Sequence, residues 1–195
     1  MIFLLCSAPC LAGVNIALDA DVSLHGASFF GGGGTLVDPQ TLVDGVFLAR
    51  STQWQTGTVW WDSHDGAPRW IEIDLGASYA IESFIVQADD NDAYNLFYWD
   101  TAGGDWQLAW GIPAVGGYGM QTRPNPTDDS EQYLLASPIV MNRLKIEGDA
   151  YSDLLCSVSE VQAFGTTTAV PAPGAILLVA VGAGVADRLR RRRIL

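Results

Sequence analysis

Apolar residues in this chain come in short bursts. Across residues 13–165 no long stretch repeats them at the 3.6-residue spacing of a helix face. Runs rich in Val, Ile, Phe, Tyr and Trp instead alternate with clusters of Gly, Asp, Asn and Pro, and they predict strands at 14–18, 69–75, 81–88, 94–99, 106–110, 132–135, 139–146 and 157–164. Within the second run, Ile71, Ile73 and Leu75 alternate with Glu72 and Asp74, the pattern of a strand with one buried face. Asp100 to Asp105 carries two glycines between two such runs, which predicts a hairpin from Tyr94 to Trp110. This many short strands in about 150 residues predicts an all-β fold of two stacked sheets.

The two ends break the pattern. Residues 2–12 form a short apolar run closing on a small residue and resemble a secretory signal peptide, either short or lacking its true start. Cys10 also offers a lipoprotein-type anchor. At the other end, the linker 166–174 carries Val170-Pro171-Ala172-Pro173 and leads into an apolar run from Ala175 to Ala186. Arg188 and Arg190 to Arg193 follow. Prolines, apolar run and arginines in that order resemble the PEP-CTERM sorting signal of exopolysaccharide-producing Gram-negative bacteria, in a variant built on Val170, Pro171 and Pro173. The resemblance implies export to the cell envelope or extracellular matrix, processing by an exosortase, and a transient hold on the membrane through segment 175–195, a short hydrophobic helix. A plain C-terminal membrane anchor is the alternative, with the arginines left on the cytoplasmic side.

Charge narrows the function classes. Residues 13–174 hold 21 Asp and Glu against 5 Lys and Arg, a net charge of −16. Such a surface repels phosphate backbones, so nucleic acid is not an expected partner. It does suit Ca²⁺, which takes oxygen ligands. Only Cys156 of the three cysteines lies in the body, so no disulfide forms within it, and its place in an apolar run predicts a small buried side chain. Gly31 to Gly34 has no following Lys, Ser or Thr and no helix, and is read as a loop rather than a phosphate cradle.

Several pieces of the body form an ordered series: Asn15-Ile-Ala17, Val43-Asp44-Gly45, Ser51-Thr-Gln-Trp54, Trp70-Ile-Glu-Ile-Asp-Leu-Gly76, Tyr79-Ala-Ile81 and Ser157-Val-Ser-Glu-Val-Gln-Ala-Phe-Gly165. The series is similar to that of discoidin, or coagulation factor 5/8 type C, domains. The resemblance spans about residues 14–165 and implies a galactose-binding-like jelly-roll β-sandwich that binds glycans, lipid heads or proteins through loops at one end. It also implies a structural Ca²⁺ held by Asp44, Thr52 and Glu160. The simpler reading makes Asp44 a turn cap and Glu160 a paired or solvated carboxylate.

For ligand binding, two segments combine aromatic rings, which stack on the C–H faces of sugars, with groups that bond hydroxyls. One runs from Trp60 and Trp61 to His64. The other is the loop Asp89, Asp90, Asn91, Asp92 with Tyr94. Tyr118 and Arg123, placed in the loop 116–126, join them if these loops share one end of the sandwich. Against this stands the fact that one of two adjacent strand tryptophans must face inward, and an acidic loop can simply be solvated.

Catalysis finds little footing. His25 and His64 are the only histidines, and neither a G-x-S-x-G turn nor an H-E-x-x-H pair occurs. The leading expectation is therefore an exported, non-catalytic module that binds polysaccharide. The alternatives are a structural or adhesion protein contacting other proteins, and a carboxylate-based glycan hydrolase, which needs a cleft with two close carboxyl groups.

Overall fold

The structure, a computed structural model, describes residues 13–26, 28–31, 35–149 and 153–166. The leader at 2–12 and the tail with Val170, Pro171 and Pro173 lie outside the described residues. Among those described, ten strands follow in the order β1 (Val14–Asn15), β2 (Asp21–His25), β3 (Phe29–Phe30), β4 (Val59–Asp62), β5 (Trp70–Asp89), β6 (Tyr94–Asp100), β7 (Asp105–Ile112), β8 (Met120–Arg123), β9 (Tyr133–Gly148) and β10 (Leu155–Gly165). A 3₁₀ turn spans Pro39–Val43. The all-β expectation holds.

Every strand pair is antiparallel, and two long strands pass through both layers. The first half of β5 pairs with β2 and with the second half of β9, which continues through β6 to β7. The second half of β5 lies between β10 on one side and β8 and the first half of β9 on the other, while β4, β3 and β1 extend the β10 side. The crossover falls where the β5–β9 register slips between Asp74 and Tyr79. Gly76 sits there at φ +75°, a conformation that side-chain-bearing residues avoid, and its N–H is held by the Asp74 carboxylate at 2.9 Å. Strands predicted as separate runs thus join: 69–75 with 81–88, and 132–135 with 139–146.

The alternation in β5 is realised: Ile71, Ile73 and Leu75 are buried, and Trp70, Glu72 and Asp74 face out. Between the layers these meet Trp61, Phe84, Val86, Leu96, Trp110, Leu144, Ile146, Val158 and Val161. Each such burial contributes about 1.5–3 kcal/mol. The hairpin is also realised, with Asp100 opposite Asp105. Two differences are instructive. The predicted strand at 14–18 keeps its pairing only to Asn15, because the chain turns there, Asn15 Oδ1 accepting the Ala17 N–H at 3.2 Å. Strands β2, β3 and β8 have no run of their own long enough to read; they exist because a longer neighbour supplies the hydrogen bonds.

Candidate functional site

Both ends of β5 reach the same rim of the sandwich, and so do the loops there. The Ser63 N–H donates to Leu154 O at 2.8 Å and the Asp149 N–H to Ala93 O at 2.8 Å. Val115 and Gly116 both donate to Asp90 O, at 3.0 and 3.1 Å. Asn91 Nδ2 donates to Asp153 at 2.7 Å. Four loops, β4–β5, β5–β6, β7–β8 and β9–β10, are thereby stitched into one surface, as the sandwich reading expects of a binding rim.

Two neighbouring cavities open in it. The first, of about 310 Å³, has Trp61 and Cys156 at its base, and Pro68, Arg69, Glu147 and Asp149 around it. Gly148 forms part of the wall, where an added Cβ would overlap Cys156 Sγ. The second, of about 420 Å³, is lined by Phe30, Asp62, His64, Asp65 and Arg69. Arg69 separates them: its guanidinium grips the Asp65 carboxylate through two hydrogen bonds of 2.7 and 2.6 Å, and its side chain is almost fully buried. That clamp holds the Asp65 carboxyl well below the usual carboxylate range. His64 is exposed, with Nδ1 2.6 Å from Asp62 Oδ1.

Of the sequence candidates, the tryptophan pair divides as adjacent strand residues must. Trp61 turns inward and is only 1% exposed, reaching the first cavity from beneath. Trp60 faces outward but is half-buried against Phe30 and Trp54, its indole N–H donating to Gly31 O at 3.3 Å.

The acidic loop requires a correction. Asp89, Asp92 and Tyr94 are 2%, 0% and 0% exposed, and Arg123, on β8 rather than in a loop, is 0% exposed. None is open to a ligand. The Arg123 guanidinium donates to the carbonyls of Ala88 and Gln121, at 2.7 and 2.8 Å, and to those of Asp89, Asp92 and Pro113. Tyr94 donates its hydroxyl to Asp89 and accepts the Ser157 N–H at 2.8 Å, and Asp92 accepts the Asp153 N–H at 3.0 Å. The physical reason is local: a loop this short, pinned between two buried strands, has to neutralise and bond its own backbone. Burial, then the charge and hydrogen bond of Asp92, push the Asp89 carboxyl up to about 9, against the pull of Tyr94 and Arg123. Asp90 is half-buried; Asn91 is exposed. Tyr118 is 62% exposed on the β7–β8 loop and is not among the residues lining either cavity.

A third location lies on the outer side of the second sheet, under the segment 44–48. A β-bulge between Val158 and Glu160 turns Glu160 toward that segment. Glu160 Oε1 accepts from the Gly45 N–H at 3.1 Å and from Gln162 Nε2 at 3.0 Å. Its other oxygen, Oε2, is buried without a hydrogen-bond partner. Burial first, and the neighbouring charge of Asp44, push its carboxyl up to about 8. Asp44 is exposed, with one oxygen capping the Val46 N–H at 2.8 Å. Asp44 and Glu160 are therefore brought together. Thr52 is tied elsewhere, its hydroxyl donating to Ala49 O at 2.6 Å and its carbonyl accepting from Met120 at 2.8 Å. Among the described residues no three His, Cys, Asp or Glu side chains form a metal-binding group, so an ion here would need backbone carbonyls as well.

Sequence reasoning missed the residues that line the first cavity beyond Trp61: Arg69, Glu147 and Asp149. Glu147 and Asp149 sit at the end of a strong strand and read as ordinary polar punctuation. Arg69 had one available signal, its spacing of four from Asp65.

The architecture is the galactose-binding-like jelly roll. The chain resembles a chitosan-binding module of a chitosanase/glucanase from Paenibacillus sp. IK-5, with a TM-score of 0.50, 15% identity, and coverage of 78% of this chain and 99% of that one. It also resembles the family 32 carbohydrate-binding module of Streptococcus pneumoniae EndoD, with a TM-score of 0.51 and 14% identity over 78% of this chain and 100% of that one. A fucose-binding module of S. pneumoniae, SpX-3, gives a TM-score of 0.51 and 16% identity over 79% and 99%. No family model matches the sequence, and no curated protein matches it.

Proposed function

We propose that this chain is an exported, non-catalytic carbohydrate-binding module that takes a sugar in the first rim cavity. The observation that carries the reading is that cavity: about 310 Å³, at the loop rim of a jelly roll, with an aromatic base and the carboxylates of Glu147 and Asp149 at its edge. Apolar base and polar edge together are what a pyranose requires. The three similar structures are, by their own descriptions, modules that bind chitosan, carbohydrate and fucose. The hydrolase alternative needs two close carboxyl groups open to substrate. Asp89 and Asp92 approach each other but are sealed and committed to Tyr94, Arg123 and Asp153, and of the two carboxylates on the cavity edge Glu147 is held by Lys145 Nζ at 2.9 Å. Binding of the full-length protein to a polysaccharide and glycan array tests the reading; flat signals across the array overturn it.

A structural Ca²⁺ at Asp44 and Glu160 belongs to the same proposal. The orphaned Glu160 Oε2 and the raised pKa of its carboxyl fit a cation, which would neutralise two neighbouring acids and accept the oxygen that the fold leaves unpaired. Asp44, Glu160 and carbonyls of the covering segment would hold it; the bonds of Thr52 give it a supporting place in that loop. Envelope or matrix localisation, exosortase processing near Val170-Pro171-Ala172-Pro173 and passing membrane attachment through 175–195 rest on the sequence order of the tail. Mass spectrometry of the mature termini tests them: an intact C-terminus ending in the arginines rules out processing there.

A further inference from the structure

The outer face of the first sheet is more aromatic than a solvated sheet face needs to be. Trp70 on β5, Phe97 and Trp99 on β6, and Trp106 on β7 all stand half-buried on it, interleaved with His25, Glu72, Arg143 and Lys145. We infer that the sugar site is not confined to the rim cavity, and that an extended, uncharged polysaccharide continues from it across this face. The inference rests on the carbohydrate reading above and names the class of ligand.

Continuity is the first argument. Glu147, on the cavity edge, pairs with Lys145 Nζ at 2.9 Å. That ammonium lies 4.3 Å from the Phe97 ring centroid and 5.7 Å from that of Trp106. Two residues further along β9, the Arg143 guanidinium lies 4.5 Å from the Trp99 centroid and 5.5 Å from the Trp106 centroid, and Glu72 holds it at 3.0 Å. His25 stacks on Trp70 at 4.8 Å. At roughly 3.3 Å per residue, Glu147 to Arg143 is about 13 Å of surface, longer than one sugar ring.

Charge is the second. Of the five cations in residues 13–166, Arg69 and Arg123 are buried, and Arg143 and Lys145 are two of the remaining three. Each is already matched by a carboxylate, so the face offers fixed donors beside fixed acceptors, next to apolar rings. Hydroxyls, which both donate and accept, complement that arrangement, whereas the −16 charge of residues 13–174 repels acidic chains. Trp and Arg are also frequent in protein interfaces, but nothing about a protein partner explains the link to the cavity.

The test uses the full chain and a length series, from one to six residues, of neutral β-linked glucose, galactose and N-acetylglucosamine oligosaccharides, with galacturonic acid oligomers alongside. The expected result is at least about tenfold tighter binding of a neutral hexasaccharide than of its monosaccharide, with Trp106→Ala and Phe97→Ala removing that gain and leaving monosaccharide affinity unchanged. Should either variant unfold, Arg143→Gln and quenching of tryptophan fluorescence by the wild-type hexasaccharide read the same gain. Equal affinity at every length overturns the extended site and leaves the cavity reading standing. No binding at any length overturns both. An equal gain for galacturonate oligomers overturns the uncharged ligand, and a dimer buried on this face and abolished by Trp106→Ala overturns the glycan.

Discussion

Asp89 and Glu160 are both carboxyl groups sealed inside the same sandwich, and both bind their protons far more tightly than an ordinary side chain does. Their company differs. Asp89 sits in a closed network whose members, Asp92, Tyr94 and Arg123, answer one another and the backbone around them. Glu160 has one oxygen bonded to Gly45 and Gln162 and the other to nothing, with Asp44 adding repulsion rather than relief. The first arrangement ties the rim together through Tyr94, Asp153 and the Arg123 guanidinium. The second leaves Oε2 of Glu160 unanswered beside a like charge, and that is the observation behind the proposed cation.

Breaking the closed network gives the largest expected effect. Arg123→Met strands five carbonyls and removes a buried cation from beside Asp89 and Asp92, and should cost about 3–5 kcal/mol in urea unfolding. A loss below about 1 kcal/mol would show that the network does not support the rim.

The open site gives the next. Saturating Ca²⁺ at 100-fold over its dissociation constant should stabilise the wild-type protein by about 2.7 kcal/mol, and Glu160→Gln should abolish that gain. The pH dependence sharpens the contrast. Because the folded pKa of Glu160 is raised from 4.5 to about 8, the folded state holds the extra proton, and stability falls as pH rises through that window. Asp89 acts in the same direction between 3.8 and about 9. In metal-free buffer the wild type should therefore lose stability from pH 5 to 8. Glu160→Gln should flatten part of that fall, and Ca²⁺ should oppose it in the wild type alone. Identical pH profiles with and without Ca²⁺ would refute the ion.

On the rim itself, Asp149→Asn should weaken glycan binding about tenfold, roughly 1.4 kcal/mol, in isothermal titration. Tyr118→Ala should change least, within ~0.5 kcal/mol in stability and about twofold in affinity, since the residue is exposed and lines neither cavity. A large loss at Tyr118 would move the site along the rim.

Much of the fold was legible. The alternation around Ile71 and Ile73, the Asp100–Asp105 hairpin and the closing strand carrying Glu160 are local patterns, and the structure keeps each. The pairing of Asp44 with Glu160, more than a hundred residues apart, was legible only through resemblance. The acidic loop misled: Asp89-Asp90-Asn91-Asp92 reads as solvated surface, and in the fold two of its acids are core, because Arg123 arrives from β8 to meet their carbonyls. Arg69, Glu147 and Asp149 could not be grouped at all, being separated along the chain and joined only where β4, β5, β9 and β10 end together.

By itself, the sequence determined the strand periods and the acidic balance, since each depends on composition or on residues within a few positions of one another. Tertiary structure decided which acids face water, which tryptophan lies beneath a cavity and which cations spread over the outer sheet. Those outcomes depend on desolvation and on partners brought in by pairing between distant strands, which no short window of sequence contains.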